Sequence, residues 1–124
     1  MYILLDAHAL LWWVNDAPQL GRAARAAIAE PTNRIAIGVG ALWEMSIKRS
    51  KGRLDFPFDF ERVLQDEGFG ILGIDFRHLR VLETLPKHHG DPFDRLLIAQ
   101  AVAERIPVIT GDRLFAPYDV DVIW

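Results

Sequence analysis

The chain is predicted to be α/β, with a mainly parallel five-stranded sheet, on three observations. Short continuous apolar runs of strand length recur, as expected of strands covered on both faces. Helix-patterned segments separate them, the order expected of a parallel sheet with crossover helices. The third observation is local: Asp91-Pro92-Phe93-Asp94 opens a helix, and after the joint Arg105-Ile106-Pro107 the chain enters the buried strand Val108-Ile109-Thr110. Asp91 reads as the N-cap, Pro92 as the first helical residue with φ preset, and Asp94 as an acid facing the positive end of the dipole. Leu96, Leu97, Ile98, Ala99, Ala101, Val102 and Ala103 spread apolar surface over more than one face, so this helix is internal.

The other elements follow in order. Tyr2-Ile3-Leu4-Leu5 is the first strand and ends at Asp6. Residues 9–14 read as a short apolar helix closed by Asn15-Asp16-Ala17-Pro18, and residues 21–30 as a covering helix rich in Ala and Arg. Arg34-Ile35-Ala36-Ile37 is the second strand; Gly38-Val39-Gly40 leads from it into a helix over about residues 41–50, with Glu44 in its first turn. Residues 58–67 read as an amphipathic helix, 69–74 as the third strand ending at Asp75, and 77–85 as a helix. Residues 114–117 form a loop or helical turn, and 120–124 alternate like an edge strand. No repeat, low-complexity tract or linker interrupts this pattern, so a single domain over residues 1–124 is expected.

Composition narrows the class. With 51% hydrophobic residues the chain can bury an ordinary core, and with no cysteine it has neither disulfides nor thiolate metal ligands. The net charge of −3 argues against a basic nucleic-acid coat, although a local patch can still bind phosphate. Asp6 and His8 interrupt the apolar N-terminus, and no uncharged run approaches a membrane span. A soluble, cytoplasmic protein with no membrane association is expected.

In a right-handed βαβ crossover the helix starts at the edge where the preceding strand ends, which brings Asp94 and Asp112 to one edge. Asp6 and Glu44 reach it by the same reasoning. Singly, each acid is explained as a cap, a dipole partner or a turn former. Together they are not: a cap contributes about 0.5–2 kcal/mol, whereas two carboxylates about 4 Å apart repel by about 4 kcal/mol at an effective dielectric near 20. Such a cluster calls for a cation, and an all-oxygen set favours Mg²⁺ or Mn²⁺ over zinc. Asp75 also ends a strand, and position alone does not exclude it. Asp91 is a cap that can also lend a hydrogen bond to the outer shell.

Leu5-Asp6-Ala7-His8-Ala9-Leu10-Leu11-Trp12, Trp43-Glu44-Met45-Ser46-Ile47-Lys48 with Lys51-Gly52-Arg53-Leu54, Asp91-Pro92-Phe93-Asp94-Arg95-Leu96-Leu97-Ile98-Ala99-Gln100-Ala101, and Thr110-Gly111-Asp112 together resemble the PIN-domain ribonucleases, most of all the VapC-type toxins of bacterial toxin–antitoxin pairs. The resemblance spans nearly the whole chain. It implies a three-layer α/β/α PIN-like fold, a metal-dependent endoribonuclease active as a homodimer, and a cognate antitoxin that docks on a hydrophobic groove. Asp6, Glu44, Asp94 and Asp112 match the family's acidic quartet; Asp75 matches nothing in it. Ala7, Gly38 and Gly40 depart from the family pattern where Ser or Thr is common, and Thr110 keeps a hydroxyl ahead of the last acid.

The expected mechanism follows. Asp6, Asp94 and Asp112 hold one or two Mg²⁺ or Mn²⁺ ions, directly or through water, and Glu44 completes the shell or positions the attacking water. Asp91 and Thr110 belong to the outer shell. Lys48, Arg49, Lys51, Arg53, Arg95 and Arg113 are candidates for positioning RNA phosphates, against the alternative of solvated helix-end charges. His8, His78, His88 and His89 lack ligand spacing; His8 is read as structural, and His88 and His89 as part of a solvated loop. Trp12, Trp13 and Trp43 are expected in a core or a subunit interface. The rival readings are a catalytically weak RNA- or antitoxin-binding module and, more remotely, a receiver-type phosphoacceptor domain, which lacks its paired acids and terminal lysine here.

Overall fold

In the computed structural model, which describes residues 1–124, the chain runs β1 (Tyr2–Leu5), α1 (Ala7–Val14), α2 (Arg22–Ala29), β2 (Arg34–Gly38), α3 (Val39–Ser50), α4 (Phe60–Glu67), β3 (Gly70–Leu72), α5 (Phe76–Thr84), α6 (Pro92–Glu104), β4 (Val108–Ile109), a 3₁₀ turn at Arg113–Phe115, and β5 (Val122–Ile123). The strands pair in the order β3-β2-β1-β4-β5, and every pairing is parallel. Leu4 of the central strand is in register with Ala36 on one side and Val108 on the other.

The two faces of β1 serve two cores, because successive side chains point in opposite directions. Ile3 and Leu5 join Leu10, Ala24, Ile28, Met45 and Leu64 under α1, α2, α3 and α4. Leu4 joins Leu97, Ile98 and Ala101 of α6, with Phe115 and Tyr118. The result is the expected α/β/α sandwich. Six consecutive residues of α6, from Leu96 to Ala101, are buried, so this helix is internal.

Most elements lie where the sequence puts them, with β3, β4 and β5 shorter than expected. β3 keeps three of the expected six residues and is an edge strand, with Ile71 56% exposed. Two helices begin earlier than their apolar patterning indicates. Asp6 caps α1 directly, so that helix starts at Ala7. α3 starts at Val39, which moves Glu44 from the first turn to the second. The glycines there let α6 side chains pack closely: a Cβ on Gly40 would come within 2.9 Å of Leu96 Cδ2, and one on Gly38 within 2.9 Å of Gln100 Oε1 and 3.3 Å of Leu97 Cδ1. Close packing of α6 on the β2–α3 junction therefore explains the absence of Ser or Thr at these positions. Gly38→Ala is expected to destabilise the protein by about 1–3 kcal/mol through overpacking, measured as a lower urea midpoint at unchanged slope. No helix is long and apolar enough to cross a membrane.

Candidate active site

The strand order reverses direction at β1: the chain passes to β2 on one side and reaches β4 on the other. A crevice therefore opens at the carboxyl ends of β1 and β4, the usual ligand position in an open parallel sheet. A cavity of about 240 Å³ lies there, lined by Asp6, Ala7, His8, Trp12, Glu44, Asp94, Gly111 and Asp112. Four acids from four separate segments thus share one cavity. Asp75 is not among them. It caps α5, accepting from the Arg77 and His78 amides, and pairs with the Arg77 guanidinium.

Each acid is held by its own element. Asp6, the most buried, accepts a hydrogen bond from the Ala9 amide at 2.7 Å and another from the Thr110 hydroxyl at 2.5 Å. Thr110 Oγ1 also accepts from the Asp112 amide at 3.1 Å, tying the end of β1 to the loop after β4. Asp112 caps the 3₁₀ turn through the Leu114 amide. Asp91 caps α6, accepting from the Phe93 and Asp94 amides, and so sets where Asp94 leaves the first turn. Glu44 is reached only by Lys48 Nζ at 3.4 Å.

Burial in a partly dry cavity, with like charge close by, shifts two of these acids. Burial raises the Asp6 carboxyl above its ordinary value, against the lowering effect of the Thr110 and Ala9 hydrogen bonds. Asp94 is pushed up to about 7, first by burial and then by the nearby Asp91, with His89 opposing and Glu44 and Asp112 adding to the rise.

One member of the site is absent from the sequence expectation. His89 is 7% exposed instead of solvated, and its Nε2 lies 2.7 Å from Asp112 Oδ2 and 3.2 Å from Asp94 Oδ2. The spacing of histidines along the chain could not reveal this, because His89 contacts carboxylates from two other elements. Its place two residues before the cap of α6 was the available signal. His88, next to it, is exposed.

A family model described as PIN domain matches residues 3–120. The chain belongs to the PIN domain family. This PIN domain is 29% identical over 114 residues to Ribonuclease VapC22 of Mycobacterium tuberculosis, an alignment covering 90% of the chain and 87% of that relative. Its fold is similar to VapBC2 from Rickettsia felis bound to a promoter DNA fragment (TM-score 0.70, 16% identity, 98% of this chain and 97% of that one). It is also similar to DNA-bound VapBC from Salmonella typhimurium (TM-score 0.68, 17% identity, 98% and 96%).

The cations around the acids of this PIN domain divide by what their side chains touch. Arg49 donates to the Phe56 and Phe58 carbonyls and stacks 4.1 Å over the Phe60 ring. Arg95 donates to the Leu85, Pro86 and His89 carbonyls. Both guanidinium groups hold chain segments. Lys51, Arg53 and Arg113 are exposed and form no ion pair. Of the tryptophans, Trp12 and Trp13 are half-buried, and Trp43 is 61% exposed with Phe93 edge-on at 5.2 Å, so of the two expected settings it is not in the core of this chain. His8 is exposed, its ring 5.5 Å from that of Trp12 on the cavity wall.

The donor chemistry fits a divalent cation. Carboxylates supply all the acidic oxygens of the cavity, Lys48 is the one lysine or arginine paired with any of the four acids, and hard oxygen donors suit Mg²⁺ and Mn²⁺.

Proposed function

We propose that this PIN domain is a Mg²⁺- or Mn²⁺-dependent endoribonuclease acting as the toxin of a toxin–antitoxin pair in the cytoplasm. The observation that carries the reading is the convergence of Asp6, Glu44, Asp94 and Asp112 on one cavity between β1 and β4. Lys48 and the His89 ring offset only part of the repulsion among these carboxylates, and a divalent cation would offset the rest. A bound divalent ion supplies water activation and neutralises charge on the scissile phosphate.

The chain's own residues divide the remaining work. Asp6, Asp94 and Asp112 hold the ion, and Glu44, on the neighbouring wall, orients the attacking water for in-line displacement. Thr110 and Asp91 fix the acids through the hydrogen bonds described above. Lys51, Arg53 and Arg113 position the RNA backbone, with Lys48 shared between Glu44 and phosphate. Arg49 and Arg95 contribute by fixing the segments that carry the site. Exposed Trp43, Ile71, Ile74, Phe76 and Leu79 supply apolar surface suited to a second copy of the chain and an antitoxin; one similar solved structure is a toxin–antitoxin complex from Klebsiella pneumoniae.

The test is cleavage of mixed RNAs by the purified protein with Mg²⁺ or Mn²⁺, then with a chelator. Cleavage that stops on chelation and leaves 5′-phosphate ends is expected; cleavage that persists without metal defeats the reading. Replacing both Lys51 and Arg53 with Gln should lower RNA affinity about uniformly across sequences and shallow its salt dependence, by about 1 in log–log slope for each phosphate no longer neutralised.

A further inference from the structure

His89 faces two acids that a cation would use, and its ring can serve either as a nitrogen ligand or as a hydrogen-bond donor. The other ring nitrogen decides between them. Nδ1 lies 3.1 Å from the Asp91 backbone N–H, a group that can only donate. Nδ1 must therefore accept, which leaves the ring proton on Nε2. That N–H points at Asp112 Oδ2, 2.7 Å away, with Asp94 Oδ2 at 3.2 Å.

We propose that His89 is a positioning residue, a fixed N–H donor that holds Asp94 and Asp112 together as an all-oxygen cation site, and is not itself a ligand. The inference rests on the metal-dependent reading above. For Nε2 to ligate, its proton would have to move to Nδ1, setting two donors face to face between the ring and the Asp91 amide.

The ring has little freedom to escape this arrangement. The His88 and His89 amides both donate to Tyr118 Oη, at 2.8 and 2.7 Å, and the Tyr118 hydroxyl donates to the Pro86 carbonyl at 2.7 Å. Arg95 holds the Leu85, Pro86 and His89 carbonyls of the same loop. Phe115 packs edge-on against the imidazole at 5.9 Å. The loop is thus pinned at several points, and its one buried imidazole faces the acids. The hydrogen bonding runs on into the site: Asp91, whose amide sets the His89 tautomer, also caps the helix that carries Asp94.

The experiment uses the full chain with Mn²⁺ as the probe. Electron spin-echo spectroscopy of protein labelled with ¹⁵N-histidine reports a directly coordinated nitrogen. Titration followed by paramagnetic resonance gives the Mn²⁺ affinity of wild type, His89→Gln and His89→Phe. Both variants lose the Nδ1 acceptor, so any general weakening of the loop is common to them, but Gln can return an N–H to the place of Nε2. No histidine nitrogen coupling is expected in wild type, with His89→Gln within about threefold of its affinity and His89→Phe weaker by about 10- to 100-fold. Direct nitrogen coupling that persists in His8→Ala, which removes the imidazole on the cavity wall, overturns the proposal even if His89→Phe fails to fold, and so does equal Mn²⁺ affinity in wild type and His89→Phe. Wild type that binds no Mn²⁺ sinks the metal-dependent reading as well, whereas the other two results sink the role of His89 alone.

Discussion

Asp94→Asn is expected to abolish metal-dependent RNA cleavage while raising the melting temperature of the metal-free protein at pH 8. The activity loss should exceed the roughly 10- to 100-fold typical of outer-shell partners, because a carboxylate ligand is removed. The stability gain follows from the position of Asp94 in an acidic, partly dry cavity that pushes its carboxyl up to about 7. With the folded value above the unfolded one, the native state binds more protons between about pH 4 and 7. The stability contributed by this group is fully present below the unfolded value and is lost as pH rises through about 7.

The magnitudes decide the sign at pH 8. A rise from 3.8 to about 7 corresponds to roughly 4 kcal/mol, an upper limit for a side chain that is 28% exposed. The opposing loss of a charge at the α6 N-terminus is only about 0.3–1 kcal/mol. Calorimetry in chelator should show Asp94→Asn melting a few degrees above wild type at pH 8 and close to it at pH 4. A lower melting temperature at pH 8 contradicts this account. Protons compete with the cation for the same oxygens, so Mn²⁺ affinity of wild type should also fall as pH drops below 7.

Asp6 behaves differently because it is structural as well as functional. Asp6→Ala leaves the Ala9 amide and the Thr110 hydroxyl without their acceptor, removes the α1 cap, and should cost about 2–4 kcal/mol despite relief of a buried charge. Asp6→Asn keeps an oxygen for the Ala9 amide and should stay within about 1 kcal/mol of wild type by urea denaturation, yet be inactive. Equal stability of the two variants would show that the cap and the Thr110 hydrogen bond contribute little.

Much of this molecule is written locally. Asp91 and Pro92 start α6 through side-chain and φ preferences that need no tertiary partner, and β1 is apolar on every residue because both its faces are covered. The common edge of Asp6, Glu44, Asp94 and Asp112 follows from the handedness of crossovers, a rule of topology that a single sequence exposes once strands and helices are assigned. Elements decided by packing were less legible. At the early start of α3 the Leu96 Cδ2 of α6 lies 2.9 Å from where a Cβ on Gly40 would be, a contact no local pattern reveals, and β3 lies at the edge of the sheet.

The sequence by itself determined which acids meet, since strand ends and helix starts are consequences of periodicity and capping. Only the tertiary structure decided what keeps them there: Thr110 on Asp6, and His89 between Asp94 and Asp112. Thr110 and Asp6 stand 104 positions apart, and His89 and Asp112 stand 23 apart. The directions of such single hydrogen bonds come from side-chain packing that no periodicity encodes. The same reason explains why His89 is buried where a solvated loop was expected: exposure of one side chain depends on which neighbour covers it.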